Sequence, residues 1–276
     1  MLPSALPFFL KAQPGERFCL YHEPDPAQRP RGAVLYVHPF AEELNRCRRM
    51  AALQSRAWAA AGYGVLQIDL YGCGDSSGDF TDASLAHWRH DLVMAVQWLR
   101  ARADGPLLLW GVRLGALLAL DFAADAPQAP DAMVLWQPVS DGALHLRQFE
   151  RVASAARMTA GEPAAVPANP GDGSREIAGY RISAPLYDAI ASLNAKALAP
   201  RTPVHWIENA LSSEDAVGAA LPTTSTQLIE HWRGKGATVH SYRYSGRPFW
   251  TSTEISECPA LLDATAALVS QLAPAP

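Results

Sequence analysis

The segment LLLWGVRLGALLAL, Leu107 to Leu120, sets Gly-x-Arg-x-Gly between a strand-like run and a helix-like run. Small residues on both sides of its centre permit the sharp strand-to-helix turn of a nucleophile elbow. The apex of such a turn ordinarily carries Ser, Cys or Asp, whose side chains can attack an electrophile. Arg113 stands there instead, and a guanidinium stays protonated and cannot attack. An arginine beside a helix start can, however, bind. The free N–H groups and the aligned peptide dipoles attract anions, and the guanidinium fork matches carboxylate or phosphate. The other reading is internal pairing of Arg113 with a carboxylate such as Asp69, Asp141 or Glu208.

Other residues carry weaker signals. His38, at the end of GAVLYVHPF (Gly32 to Phe40), is either a base or an organiser of its loop through hydrogen bonds. Cys73, between Gly72 and Gly74, reads as a small packed thiol unless a positive neighbour lowers its pKa. His87 and His90 sit a helical turn apart next to Asp91, but no further Cys or His adjoins them and no metal site is assigned. Asp75, Asp79 and Asp82 lack the order of a calcium loop and read as turn formers. Arg46, Arg48, Arg49 and Arg56 read as a solvated helix face, with an anionic partner or lipid headgroup as the alternative.

The elements that must hold these residues alternate between strand and helix, which predicts an α/β fold: a mostly parallel central sheet flanked by helices. Strands are predicted at Gly32 to Phe40, Tyr63 to Gly72, Pro106 to Gly111, Ala132 to Val139, Thr202 to Asn209 and Ala237 to Tyr244. Helices are predicted at Leu44 to Ala61, Asp82 to Arg102, from after Gly111 through Ala124, Thr224 to Arg233 and Pro259 to Leu272. Between about Ser140 and Pro200 the pattern decays. Gly161 to Gly173 is rich in proline, glycine and alanine, which suggests a lid insertion with a mobile centre. The expected organisation is therefore a core over 1–139, a lid over 140–200 and completion of the core over 201–276.

The chain has 276 residues, of which 49% are apolar and 18% charged, with a formal net charge of −4. Such a composition suits a globular core and gives no basic field for a nucleic acid. Its four cysteines, Cys19, Cys47, Cys73 and Cys258, are widely spaced, as reduced thiols in a cytoplasm would be. The N-terminal stretch is a poor signal peptide, and the apolar tract from Pro106 to Leu120 is too short for a membrane span. Any membrane contact is expected to be peripheral.

The joined motifs GAVLYVHPF, GYGVLQIDLYGCGDSSGDF, LLLWGVRLGALLAL, VLWQPVSDGALHLRQFE and YSGRPFWTSTEISECPALL resemble the α/β-hydrolase superfamily. More narrowly, they are similar to the family called exosortase A system-associated hydrolase 2. That resemblance implies a bacterial, cytoplasmic protein accompanying exosortase and exopolysaccharide components. No cofactor is assigned. The resemblance puts the nucleophile position at Arg113 and oxyanion donors at the backbone of Leu114 and near Phe40. An acid would follow the strand ending near Asn209, where Glu208 and Asp215 are candidates, or the strand ending at Val139, where Asp141 is one. The base would be a histidine after Tyr244, yet that loop reads SGRPFWTST and offers Phe249 and Trp250. Ser-His-Asp catalysis is accordingly disfavoured, and no residue is assigned as catalytic. Three functions stay open: a protein binding a small anionic or acyl ligand, an ester or thioester hydrolase or acyltransferase using non-standard residues, and a protein-interaction subunit. His145, Tyr180 and Tyr187 could reach the site from the lid.

Overall fold

Alternation in ERFCLYH buries Arg17, Cys19 and Tyr21 on one side, and this strand, β2 (Glu16–His22), pairs antiparallel with β1 (Ala5–Lys11). The hairpin was not anticipated, although Pro14-Gly15 between two apolar stretches is a turn signal. The computed structural model describes residues 5–159, 173–210, 220–252, 254–268 and 272.

Strands β3 (Gly32–Val37), β4 (Tyr63–Ile68), β5 (Leu107–Val112) and β6 (Ala132–Trp136) are the continuous apolar runs expected of strands covered on both faces. With β9 (Val204–Ala210) and β10 (Val239–Ser245) they complete an eight-stranded sheet of order β1-β2-β4-β3-β5-β6-β9-β10. Pairing from β4 through β10 is parallel, and β2 joins β4 antiparallel. This is the α/β-hydrolase architecture.

Two apolar layers cover the sheet. On one side Cys47, Met50 and Trp58 of α1 (Glu42–Ala60) meet Leu261 and Leu268 of α7 (Pro259–Leu268). On the other lie Trp88 and Leu92 of α2 (Leu85–Arg100), Leu117 of α3 (Leu114–Asp125), and Leu228 and Trp232 of α6 (Thr223–Gly234). Helix α2 starts later than expected. Ser84 is its N-cap and accepts the His87 N–H at 3.1 Å, while Asp82 closes a short 3-10 turn at Phe80–Asp82. All four cysteines are buried free thiols.

Between β6 and β9 runs an inserted segment. Where the sequence pattern decays, the chain forms the 18-residue helix α4 (Gly142–Thr159), a small hairpin of β7 (Arg175–Ile177) with β8 (Tyr180–Ile182), and α5 (Ala184–Ser192). The expected mobile centre, Gly161 to Gly173, lies outside the described residues except for Gly173. No helix among the described residues is long and apolar enough to cross a membrane.

Candidate functional site

Sharp turning at the end of β5 is visible in the backbone of Arg113, with φ 56° and ψ −121°, a conformation L-residues rarely adopt. It is possible because the glycines on either side let the chain cross itself. A Cβ on Gly115 would run into the carbonyls of Val37 and His38, and one on Gly111 would run into the Ala116 backbone. Arg113 thus sits at the apex between β5 and α3. The Leu114 N–H is the first of the α3 amides that have no acceptor within their own helix.

The Arg113 side chain turns inward. Its Nε donates to Glu43 Oε1 at 3.2 Å, its Nη1 donates to the Gln137 carbonyl at 3.4 Å, and its guanidinium lies 5.4 Å from the Trp250 ring centre. The Arg113 and Glu43 side chains are only 14% and 10% exposed, so the pair is largely shielded from water. Burial pushes the Glu43 carboxyl up from its ordinary value, and the guanidinium pulls it back down. Glu43 Oε2 is buried with no hydrogen-bond partner.

None of the carboxylates expected to meet Arg113 does so. Asp69 Oδ2 takes Arg48 and the Asp75 N–H at 3.1 and 3.0 Å. Asp141 caps α4 by accepting the Leu144 N–H at 2.7 Å and also takes Asn194 at 3.1 Å. Glu208, buried on β9, accepts Trp206 Nε1 at 2.9 Å and Ser225 Oγ at 3.1 Å. Asp215 lies outside the described residues. Glu43 was missed because it is 70 positions from Arg113, and nothing local in PFAEEL marks one glutamate as inward.

His38 uses both ring nitrogens within the fold. Leu70 N–H donates to Nε2 at 3.2 Å, so Nδ1 carries the proton and donates to the Pro39 carbonyl at 2.7 Å. Burial is the main cause lowering its pKa. The ring ties the loop after β3 to the end of β4. Phe40, next along, is buried against Phe80, Trp88, His145 and Phe149. Phe249 and Trp250, after β10, are buried edge to face on one another, and Phe249 meets Trp136.

His145 reaches this region from α4. Burial, reinforced by the Arg113 charge, lowers its pKa to about 3, and its Nε2 is buried with no hydrogen-bond partner. Cys73 is buried, and its thiol is pushed well up by burial, which leaves it unreactive. His87 packs edge-on against Tyr71, while Asp91 is held by Arg17 at 2.7 Å and by the Tyr71 N–H at 2.7 Å. No cluster of three or more His, Cys, Asp or Glu side chains able to hold a metal occurs among the described residues. A cavity of about 590 Å³ opens beside the start of α1, lined among others by Leu44, Asn45, Arg48, Cys73, Phe80 and Tyr180.

Against this geometry, residues 28–169 match the Hydrolase_4 family profile, described as serine aminopeptidase, S33. The chain belongs to that family. Its similarity to curated proteins is partial. Human protein ABHD12B is 26% identical over 162 residues, 51% of this chain and 43% of that protein. The human mitochondrial palmitoyl-protein thioesterase ABHD10 is 26% identical over 101 residues, 37% of this chain and 31% of that protein. The chain therefore spans less than half the length of these curated relatives. Among solved structures, Est1E from Butyrivibrio proteoclasticus superposes with a TM-score of 0.65 at 13% identity, covering 98% of this chain and 99% of that one. At such identity the likeness is one of fold. The family is thus a hydrolase family, while the apex of this member's elbow is an arginine.

Proposed function

We propose that this chain is a member of its hydrolase family that binds a small anionic or acyl ligand without Ser-His-Asp catalysis. The observation that carries the reading is the apex of the elbow: Arg113 paired with Glu43 and flanked by Trp250. A guanidinium already matched to a carboxylate is neither a nucleophile nor a free anion receptor. Phe249 and Trp250 take the place of the base, and Glu208 and Asp141 serve the fold. His38 and Phe40 shape the loop after β3, whose Val37 and His38 carbonyls lie against Gly115 at the start of α3. The ligand's place is the cavity beside α1, where Leu44, Phe80 and Tyr180 suit an acyl chain and Arg48, which meets Asp69 through one nitrogen and is otherwise half-exposed, suits its head group. The family relative named as a palmitoyl-protein thioesterase supports an acyl group as the ligand class. In this reading 140–200 is a lid on a core of 1–139 and 201–276. Resemblance of the motifs to exosortase-associated hydrolases supports a bacterial cytoplasmic setting beside exosortase or exopolysaccharide components.

Titration with decanoate and decyl phosphate, followed by tryptophan fluorescence, tests the reading. Saturable binding that Arg48→Gln weakens about tenfold is expected, as for loss of one charge-assisted contact. Absence of saturable binding, together with rapid hydrolysis of p-nitrophenyl decanoate, would overturn it.

One observation favours a second reading, in which the chain turns over an ester or thioester with non-standard residues. His145 Nε2 is buried and without a hydrogen-bond partner beside the elbow, so the insertion supplies a ring nitrogen able to accept a proton, and its lowered pKa predicts a weak base. Turnover abolished by His145→Gln, with the fold retained, would select this reading.

A further inference from the structure

Helix α4 has two unlike faces. Its inner face presents His145, Leu146, Phe149 and Ala153 to the core. At about 100° per residue, Leu144, Arg147, Arg151, Val152 and Met158 share one outer side, within roughly 140° of arc, that borders the inner face where Val152 adjoins His145. All five are exposed, with Leu144, Val152 and Met158 at 51%, 60% and 80%. Large apolar side chains so open to water are few elsewhere on the described surface.

Charge on this helix runs against that of the whole molecule. The chain carries −4, yet α4 holds Arg147, Arg151 and Arg157 against a single acid, Glu150. Glu150 lies off the exposed face and is engaged by Arg175 and Tyr187, both at 3.1 Å. Arg147 and Arg151 make no ion pair with any described residue. Apolar side chains flanked by unneutralised arginines on one helix face are the chemistry of an interfacial helix. The apolar groups enter the acyl boundary, and the guanidinium groups meet anionic headgroups. A nucleic acid would match the arginines but leave Val152 and Met158 against phosphate.

We infer that the outer face of α4 docks this protein onto anionic lipid bilayers. The inference stands on the exposed face alone and does not depend on the ligand proposed for the cavity beside α1. Contact there would place the inner face, with His145 and Phe149, directly beneath the lipid surface.

Flotation of the full chain with vesicles tests this, comparing phosphatidylcholine alone with phosphatidylcholine containing a third phosphatidylglycerol. Binding to the anionic vesicles only, released by raising the salt, is expected. The double variant Arg147→Glu, Arg151→Glu should lower the partition constant by about twentyfold or more, roughly fivefold per arginine. Val152→Ser with Met158→Ser should lower it about tenfold. Arg29→Glu with Lys235→Glu, which changes the net charge equally at exposed positions off α4, should lower it far less. Equal binding to both vesicle types, no binding to either, or the same loss from both charge-reversal pairs would overturn the inference. Should a variant fail to fold, the salt and lipid dependence of the unmodified chain still decides.

Discussion

Arg113 and Glu43 hold one another in a place where neither would stand alone. Removing the arginine leaves a carboxylate whose second oxygen is already without a partner. Arg113→Ala should therefore cost about 3 kcal/mol in urea unfolding, as for a shielded ion pair broken on one side. Adding Glu43→Gln should restore a good part of that loss, because the stranded charge is gone. A purely additive double variant would contradict the pairing. His145 provides a test by pH. Its folded pKa of about 3 lies below the ordinary 6.5, so the unfolded chain binds more protons in acid. Its contribution to stability is complete above about pH 6.5 and is lost progressively as pH falls from there toward 3. His145→Phe should flatten the fall in thermal midpoint between pH 6.5 and 4 relative to the unmodified chain. Parallel curves would contradict a buried neutral imidazole.

At the scale of the elements, the elbow depends on backbone crossing backbone. Gly115→Ala should abolish soluble folded protein or cost more than about 3 kcal/mol, since Val37 and His38 offer only carbonyls to the new methyl. Gly234→Ala, at the end of α6 with open space around it, should be neutral or stabilising by up to about 1 kcal/mol. Thermal melts of the two variants check both. The elements differ in how far the sequence discloses them. β3, β4, β5 and β6 are legible because strands buried on both faces must be apolar throughout. α4 is not, since its inner stripe is made by His145 and Ala153 as much as by Leu146 and Phe149 and its outer face is itself partly apolar, so the helical period is blurred. The β1–β2 hairpin hides for another reason: β1 is an edge strand whose side chains are half in water. Arg17, which anchors β2 to Asp91 across 74 positions, looks like a surface residue in any local window. Asp91→Ala should expose that dependence by costing about 3 kcal/mol in urea unfolding.

Over the whole molecule, the order of elements and the Gly-x-Arg-x-Gly turn were enough to indicate the hydrolase fold, because chain order and turn chemistry are local. The contents of the site were legible only in part. Absence of histidine from SGRPFWTST is written in the sequence, whereas the partner of Arg113 is supplied by the first turn of α1, which follows β3 and is brought to the end of β5 only by the folded chain. Burial of Phe249 and Trp250 likewise follows from packing of α7 and β10 around Trp136. We propose that a hydrolase scaffold is kept here while an ion pair, Arg113 with Glu43, stands at the nucleophile position. The most direct test is intact-protein mass spectrometry of the full chain after exposure to a fluorophosphonate, alongside a stopped-flow trace with p-nitrophenyl decanoate. An unchanged mass and no burst of nitrophenol are the results expected of it. A stoichiometric adduct on any serine, with a burst matching the enzyme concentration, would contradict it.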